Sequence, residues 1–294
     1  MNQASLKIIE CPRDAMQGIK AFISTDKKIK YINALLKVGF DTIDVGSFVS
    51  PSIIPQMADT IEVLSKIDYK NSSTKLLTIV PNIRGGRQAA LFDQVQYIGY
   101  PFSISEKFQL NNTNKTINES LAIGDQLYNL CARTRKELVV YISMGFGNPY
   151  GDAYNPDIVY KWVDTLANIG IKTISLSDTI GIATPSLITD LFHQLVPSYT
   201  AIEFGAHLHS AAHNWEEKIK AADEAGCRRF DGAIKGYGGC PMAKDNMIGN
   251  MPTENLITYF GPSRLGEHFQ MSDFQKAFQL AGDTFPDTEH HIES

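Results

Sequence analysis

His207 and His209 flank a single leucine at the end of an apolar run. Alternate residues of a strand share a face, so the two imidazoles should stand side by side. A metal gives such a pair a reason, because each neutral imidazole offers a lone pair. The plainer reading is one buried histidine with a hydrogen-bond partner and an incidental neighbour. Asp14 and Asn250, which also fall at the ends of strand-like segments, favour the metal. Two imidazoles, a carboxylate and an amide oxygen, completed by water, suit octahedral Mg2+ or Mn2+ better than a soft-ligand zinc site. Zn2+ and Fe2+ remain open.

Arg13 precedes Asp14 and Gln17 follows it by three residues. The pair reads either as a strand-end ion pair or as a fixed cation beside a metal-bound anion. Guanidinium, a planar fork of donors, suits carboxylate or developing enolate oxygens. Asp44 and Ser47 close one apolar run, and Asp178 and Thr179 another. Each aspartate is a strand-end cap or a site residue. Cys240 stands in GYGGCP, a pliable stretch poorly suited to a core side chain.

These residues need a scaffold that brings distant segments to one place. Short β-branched runs recur at 6–11, 42–48, 75–80, 94–100, 137–144, 173–177, 201–207 and 229–234. Between most of them lie helical periodicities, as at Pro156–Gly170, Pro185–Val196 and Ala211–Gly226. In the first, Ser24-Thr25 is expected to cap a helix whose apolar stripe is Ile29, Ile32, Leu35 and Leu36. Lysines should cover its other face, and Gly39 should end it. Eight strands alternating with helices predict a (β/α)8 TIM barrel, whose chemistry sits at the C-terminal strand ends. A doubly wound sheet is the runner-up, weakened by the lack of a Gly-rich phosphate fingerprint after the first strand. Glu203 shares the parity of His207 but lies too far up its strand to reach the mouth, so its role is structural.

The 294 residues are read as one domain: a barrel over about 6–250, C-terminal helices over 251–282 with Ser272 as an N-cap, and a polar tail over 283–294. A net charge of -5 offers no broad nucleic-acid surface and no polybasic membrane patch. No apolar stretch approaches the ~20 residues of a membrane span. The cysteines Cys11, Cys131, Cys227 and Cys240 form no CxxC pair and read as reduced thiols. Together with a polar start, they give a cytoplasmic expectation.

In this order, these segments resemble the hydroxymethylglutaryl-coenzyme A lyase family, a branch of the metal-dependent TIM-barrel lyases and synthases. The resemblance runs from about Leu6 to about Tyr259 and rests on ECPRDAMQG, GFDTIDVGSFVSPSIIPQMADT, ISLSDTIGIATP, HLH, and GYGGCP followed by GN. It implies cleavage of 3-hydroxy-3-methylglutaryl-CoA to acetyl-CoA and acetoacetate, with Asp14, His207, His209 and Asn250 as metal ligands. It further implies that Arg13 binds substrate and steadies the enolate, and that Cys240 is the catalytic thiol. By it, Asp44, Asp178, Asp14 and His207 join the catalytic set, Gln17, Ser47 and Thr179 contact substrate, and the assembly is a homodimer. Lys107, Lys115 and Lys244 are candidates for the CoA nucleotide by proximity. The chain departs from the family at Asp44, where Glu is usual, and at Ser210 and Ala15. It also has one extra residue between Cys240 and Asn250. The alternatives are a Claisen-type synthase or aldolase acting on a 2-oxo acid, and a barrel that only binds.

Overall fold

The apolar runs become parallel strands: β1 (Lys7–Glu10), β2 (Thr42–Ser47), β3 (Lys75–Ile79), β4 (Val95–Ser103), β5 (Glu137–Ser143), β6 (Thr173–Ser177) and β7 (Glu203–His207). After β7 come β8 (His209–Ser210), β9 (Arg229–Gly232) and β10 (Gly249–Asn250). In this computed structural model, residues 5–70, 72–239 and 248–285 are described. Strands β1 to β7 and β9 close a barrel in sequence order. β1 pairs with β9 from Lys7↔Arg229 to Glu10↔Gly232, which completes the ring. The predicted TIM barrel is therefore the fold.

Sequence periodicity located the strands closely, and Thr173–Ser177 agrees residue for residue. β4 runs three residues past the expected end, to Ser103. The eighth barrel strand stops at Gly232, where a single 3-10 turn, Ile234–Gly236, takes over.

Helices wrap the outside. Ile117–Thr134 begins with a capping box between Thr116 and Glu119, and Pro156–Ile169 ends on left-handed Gly170 (φ 106°). Four local expectations need correction. Ser24 makes no side-chain cap on Thr25–Leu35, and the Thr25 hydroxyl donates instead to Asp59. Lys28 on that helix is buried rather than solvated, since its ammonium reaches Asp59 and the Gln56 carbonyl. Ser272 lies inside the last helix, Met271–Thr284, with Gln270 at the N-cap. The helix expected at 211–226 is shorter, Trp215–Glu224, because Asn214 accepts from the Ala211 amide and holds a turn before it.

The main core lies between sheet and helices, and a smaller apolar cluster of Leu77, Ile79, Tyr97, Val139 and Tyr141 is separate from it. Glu203 pairs with Lys7 at 2.5 Å and with fully buried Arg229 at 3.4 Å, the structural role expected of it.

Candidate active site

Pro12 follows β1 and Cys11 and opens the short helix Pro12–Gln17, where its missing N–H costs nothing. That helix presents Arg13, Asp14 and Gln17 together. Arg13 Nη1 donates to Asp14 Oδ1 at 2.7 Å and to Gln17 Oε1 at 2.8 Å. Gln17 Nε2 donates to the same Asp14 oxygen at 2.8 Å. The other edge of the guanidinium meets Asp44 inside β2, with Nε at 2.8 Å and Nη2 at 2.6 Å from Oδ2. The short Asp44 side chain thus still anchors Arg13.

His207 ends β7 and His209 opens β8, while Leu208 between them turns into the core. The two rings lie 5.5 Å apart. β10 pairs antiparallel with β8 and sets Asn250 opposite His209. Asn250 Nδ2 donates to Asp14 Oδ2 at 2.8 Å and to the Tyr237 carbonyl at 2.9 Å. Both amide hydrogens are used, so a cation would meet the amide oxygen. The glycine segment lies directly against this cluster. A Cβ on Gly238 (φ +85°) would fall 2.6 Å from the Asp14 carbonyl oxygen and 2.9 Å from Asn250 Nδ2. Cys240 and Lys244 lie outside the described residues.

Asp14, His207 and His209 each offer a ligand atom, and these lie within 4.8 Å of one another. Neither ring nitrogen of buried His209 has a hydrogen-bond partner among the described residues. A buried polar atom left without a partner is costly, and a divalent cation would satisfy one of these. The donor set fits a metal.

The electrostatics are those of a charged cluster closed off from water. Burial would raise the Asp14 pKa, but Arg13, both imidazoles and Asn250 together hold it down at about 2. Asp44 shows the reverse balance: burial lifts it to about 6 although Arg13 pulls the other way. Burial and the neighbouring His207 push His209 down to about 4, which leaves a neutral ligand at ordinary pH. Burial also opposes charge on His207, but the bond to Asp231 and its negative charge raise its pKa overall.

Arg13, Asp14, Asp44, Gln17, His207, His209 and Asn250 therefore lie together. Three other candidates do not join them by any direct hydrogen bond or ion pair. The Ser47 hydroxyl accepts from its own loop at the Val49 amide. Thr179 Oγ1 accepts from Met144, whose φ of 58° marks a sharp exit from β5. Asp178 is committed elsewhere: Oδ1 accepts from the Ala183 amide and Oδ2 binds Lys218 at 2.8 Å. Ser210 turns its hydroxyl to Met251 Sδ at 3.6 Å, away from the cluster. Lys107 donates to the Tyr150 carbonyl.

Sequence reasoning missed three buried groups, Asp231, Lys218 and Glu10. Asp231 Oδ2 lies 3.1 Å from His207 Nδ1. Glu10 accepts from Thr253 Oγ1 at 2.5 Å and from the Ile234 amide at 3.0 Å, and burial lifts its pKa to about 8. An acid inside the run KIIEC was the only sequence signal for Glu10.

A parallel barrel whose mouth gathers an acid, two imidazoles and an anchored guanidinium defines a TIM-barrel enzyme built for metal-assisted acid–base chemistry. Residues 6–280 match the family model described as HMGL-like, and the chain belongs to that family. It is 33% identical to hydroxymethylglutaryl-CoA lyase YngG of Bacillus subtilis over 84% of this chain and 81% of that protein. It is 32% identical to the cytoplasmic 3-hydroxy-3-methylglutaryl-CoA lyase of Rattus norvegicus over 86% of this chain and 73% of the relative. The crystal structure of the Bacillus subtilis HMG-CoA lyase superposes with a TM-score of 0.88 at 30% identity, covering 95% of this chain and 93% of that one. An HMG-CoA lyase from Acinetobacter baumannii, in complex with coenzyme A and 3-methylmalate, superposes at 0.86 with 26% identity over 100% and 98% of the two chains. The chain is a carbon–carbon lyase. Among the described residues, no helix is long and apolar enough to cross a membrane.

Proposed function

We propose that this chain cleaves 3-hydroxy-3-methylglutaryl-CoA to acetyl-CoA and acetoacetate with Mg2+ or Mn2+ held by Asp14, His207, His209 and Asn250. One observation carries the reading: three ligand-bearing side chains converge beside an arginine that two carboxylates lock in place. The relatives' activity and the coenzyme A complex of one of them support the substrate class.

A bound divalent ion supplies Lewis acidity at the tertiary hydroxyl, lowering its pKa. Asp14 takes the hydroxyl proton. The bond between the carbinol carbon and the thioester α-carbon then breaks, and its electron pair moves into the acetyl thioester as an enolate. The carbinol carbon is left as the ketone of acetoacetate. Arg13, already fixed by Asp44 and Asp14, faces this developing charge without reorganising. Cys240 donates its thiol proton to the enolate carbon and completes acetyl-CoA. A thiol with a pKa near ~8.5 is mostly protonated at neutral pH, as a donor must be.

The test is an assay of purified protein with Mg2+ or Mn2+ and 3-hydroxy-3-methylglutaryl-CoA, following acetoacetate and acetyl-CoA. Stoichiometric release of both, lost in excess EDTA and on Cys240→Ala, is expected. No cleavage, together with free CoA released from acetyl-CoA and a 2-oxo acid, overturns the reading in favour of a synthase. We also propose a homodimer, from the family resemblance, to be checked by sedimentation velocity.

A further inference from the structure

His207 and His209 are chemically unequal, and the difference lies in what stands behind each ring. β7 and β9 pair at Gly205↔Arg229. Two residues on from each lie His207 and Asp231, with the same parity on adjacent strands. The register thus brings the carboxylate against the ring, with Oδ2 3.1 Å from Nδ1. The Asp231 side chain is 1% exposed. Tyr141 packs edge-on against the same imidazole, with centroids 5.8 Å apart and planes at 83°. His207 is therefore fixed in tilt by an aromatic ring and in hydrogen bonding by an acid.

Asp231 makes no other side-chain hydrogen bond among the described residues, although its charge also acts on buried Arg229. Oδ1 has no hydrogen-bond partner among the described residues. The neighbouring Arg229 forms its ion pair with Glu203. A buried carboxylate that gives up water for a single hydrogen bond is a poor stabilising device. The bond does have a chemical consequence. A carboxylate accepts only, so Nδ1 of His207 must carry the hydrogen, and the lone pair is confined to Nε2.

We propose that Asp231 is a positioning residue that locks His207 in the Nδ1–H tautomer, so that Nε2 is its ligand atom toward the cation shared with Asp14 and His209. This rests on the metal reading above, but its first test does not. A rival arrangement uses the same residues: Cys11, His207 and Asp231 also have ligand atoms within 4.8 Å of one another, so Asp231 would itself be a ligand.

The experiment uses metal-free full-length protein labelled with 15N-histidine. The His207 ring is identified by the signal that disappears in His207→Gln. At a pH high enough to keep the imidazole neutral, since Asp231 raises its pKa, the wild-type ring should show a protonated Nδ1 and a bare Nε2. In Asp231→Asn, whose amide can donate to Nδ1, the ring should move toward the Nε2–H tautomer. Mn2+ affinity, titrated by paramagnetic resonance, should fall about 10- to 100-fold in Asp231→Asn and stay unchanged in Cys11→Ser. A neutral wild-type ring with its hydrogen on Nε2 overturns the proposal, and that measurement needs no variant to fold. An equal loss of affinity in Cys11→Ser and Asp231→Asn overturns it in favour of the rival site. If wild-type protein binds no Mn2+, the metal reading fails while the ring spectrum still decides what Asp231 does.

Discussion

Lys218 Nζ lies 2.8 Å from Asp178 Oδ2, with the two side chains 2% and 0% exposed. The same ammonium donates to the His209 carbonyl at 2.8 Å and the Gly181 carbonyl at 3.0 Å, so its three hydrogens have three acceptors. One buried cation thus ties the end of β6 to the strand that presents the histidines. Removing one partner of such a pair leaves an uncompensated charge. Lys218→Met should lower unfolding free energy by about 3–5 kcal/mol, and adding Asp178→Asn should recover part of the loss. Urea denaturation of the wild type and these two variants measures this. A Lys218→Met loss within ~1 kcal/mol would show that the pair carries no such load.

Arg13 divides its fork between two carboxylates, with Nε and Nη2 on Asp44 and Nη1 on Asp14 and Gln17. A lysine keeps the charge but cannot span that geometry. Arg13→Lys should therefore lower kcat by about 10²- to 10³-fold, the usual cost of losing one preorganised donor. KM should change much less, because the enolate charge exists only on the way to product. Steady-state kinetics decide it, and a loss confined to KM would place Arg13 in binding alone.

Residue types and strand-end positions made the barrel and most of this cluster legible. A parallel strand buried on both faces reads as a β-branched run, and each such run ends in the mouth. Asp231 and Lys218 were hidden for a physical reason. The bond from Asp231 to His207 depends on the register between β7 and β9, which no local pattern encodes. Lys218 looks like one charge among several on a polar helix, and only packing against β6 reveals that its face is the buried one. Asp178 was correctly placed at a strand end, but its partner could not be named without the neighbouring helix.

Glu10 sets a pH dependence of stability. It is 0% exposed on β1, and burial raises its pKa from 4.5 to about 8. Between these values the native state holds a proton that the unfolded chain has released, so stability falls as pH rises. Its contribution is fully present below about pH 4.5 and lost through pH 8. The slope for one such proton is about 1.4 kcal/mol per pH unit. Glu10→Gln cannot ionise, so it should remove this component and be more stable than wild type at pH 8 and above. Unfolding curves across that window test the sign. A wild-type Glu10 component that rises with pH, or a variant less stable than wild type at pH 8, would contradict it.

Two glycines at the mouth should respond oppositely to the same substitution. Gly18, just past the helix that carries Arg13 and Asp14, has φ -87°, and a Cβ there meets nothing within 4 Å. Gly18→Ala should be neutral or gain about 0.4–1 kcal/mol by restricting the unfolded chain. Gly238 has φ +85°, and its Cβ would press on backbone atoms of Asp14 and Ala15 at 2.6 and 2.8 Å and on Asn250 Nδ2 at 2.9 Å. Left-handed strain alone costs roughly 1–2 kcal/mol in Gly238→Ala, and the clash adds to it. The strain falls on two of the proposed ligands at once. Mn2+ affinity should therefore drop together with stability, whereas a purely structural glycine would lower stability alone. Calorimetric unfolding and Mn2+ titration of the two alanine variants, side by side, separate these outcomes.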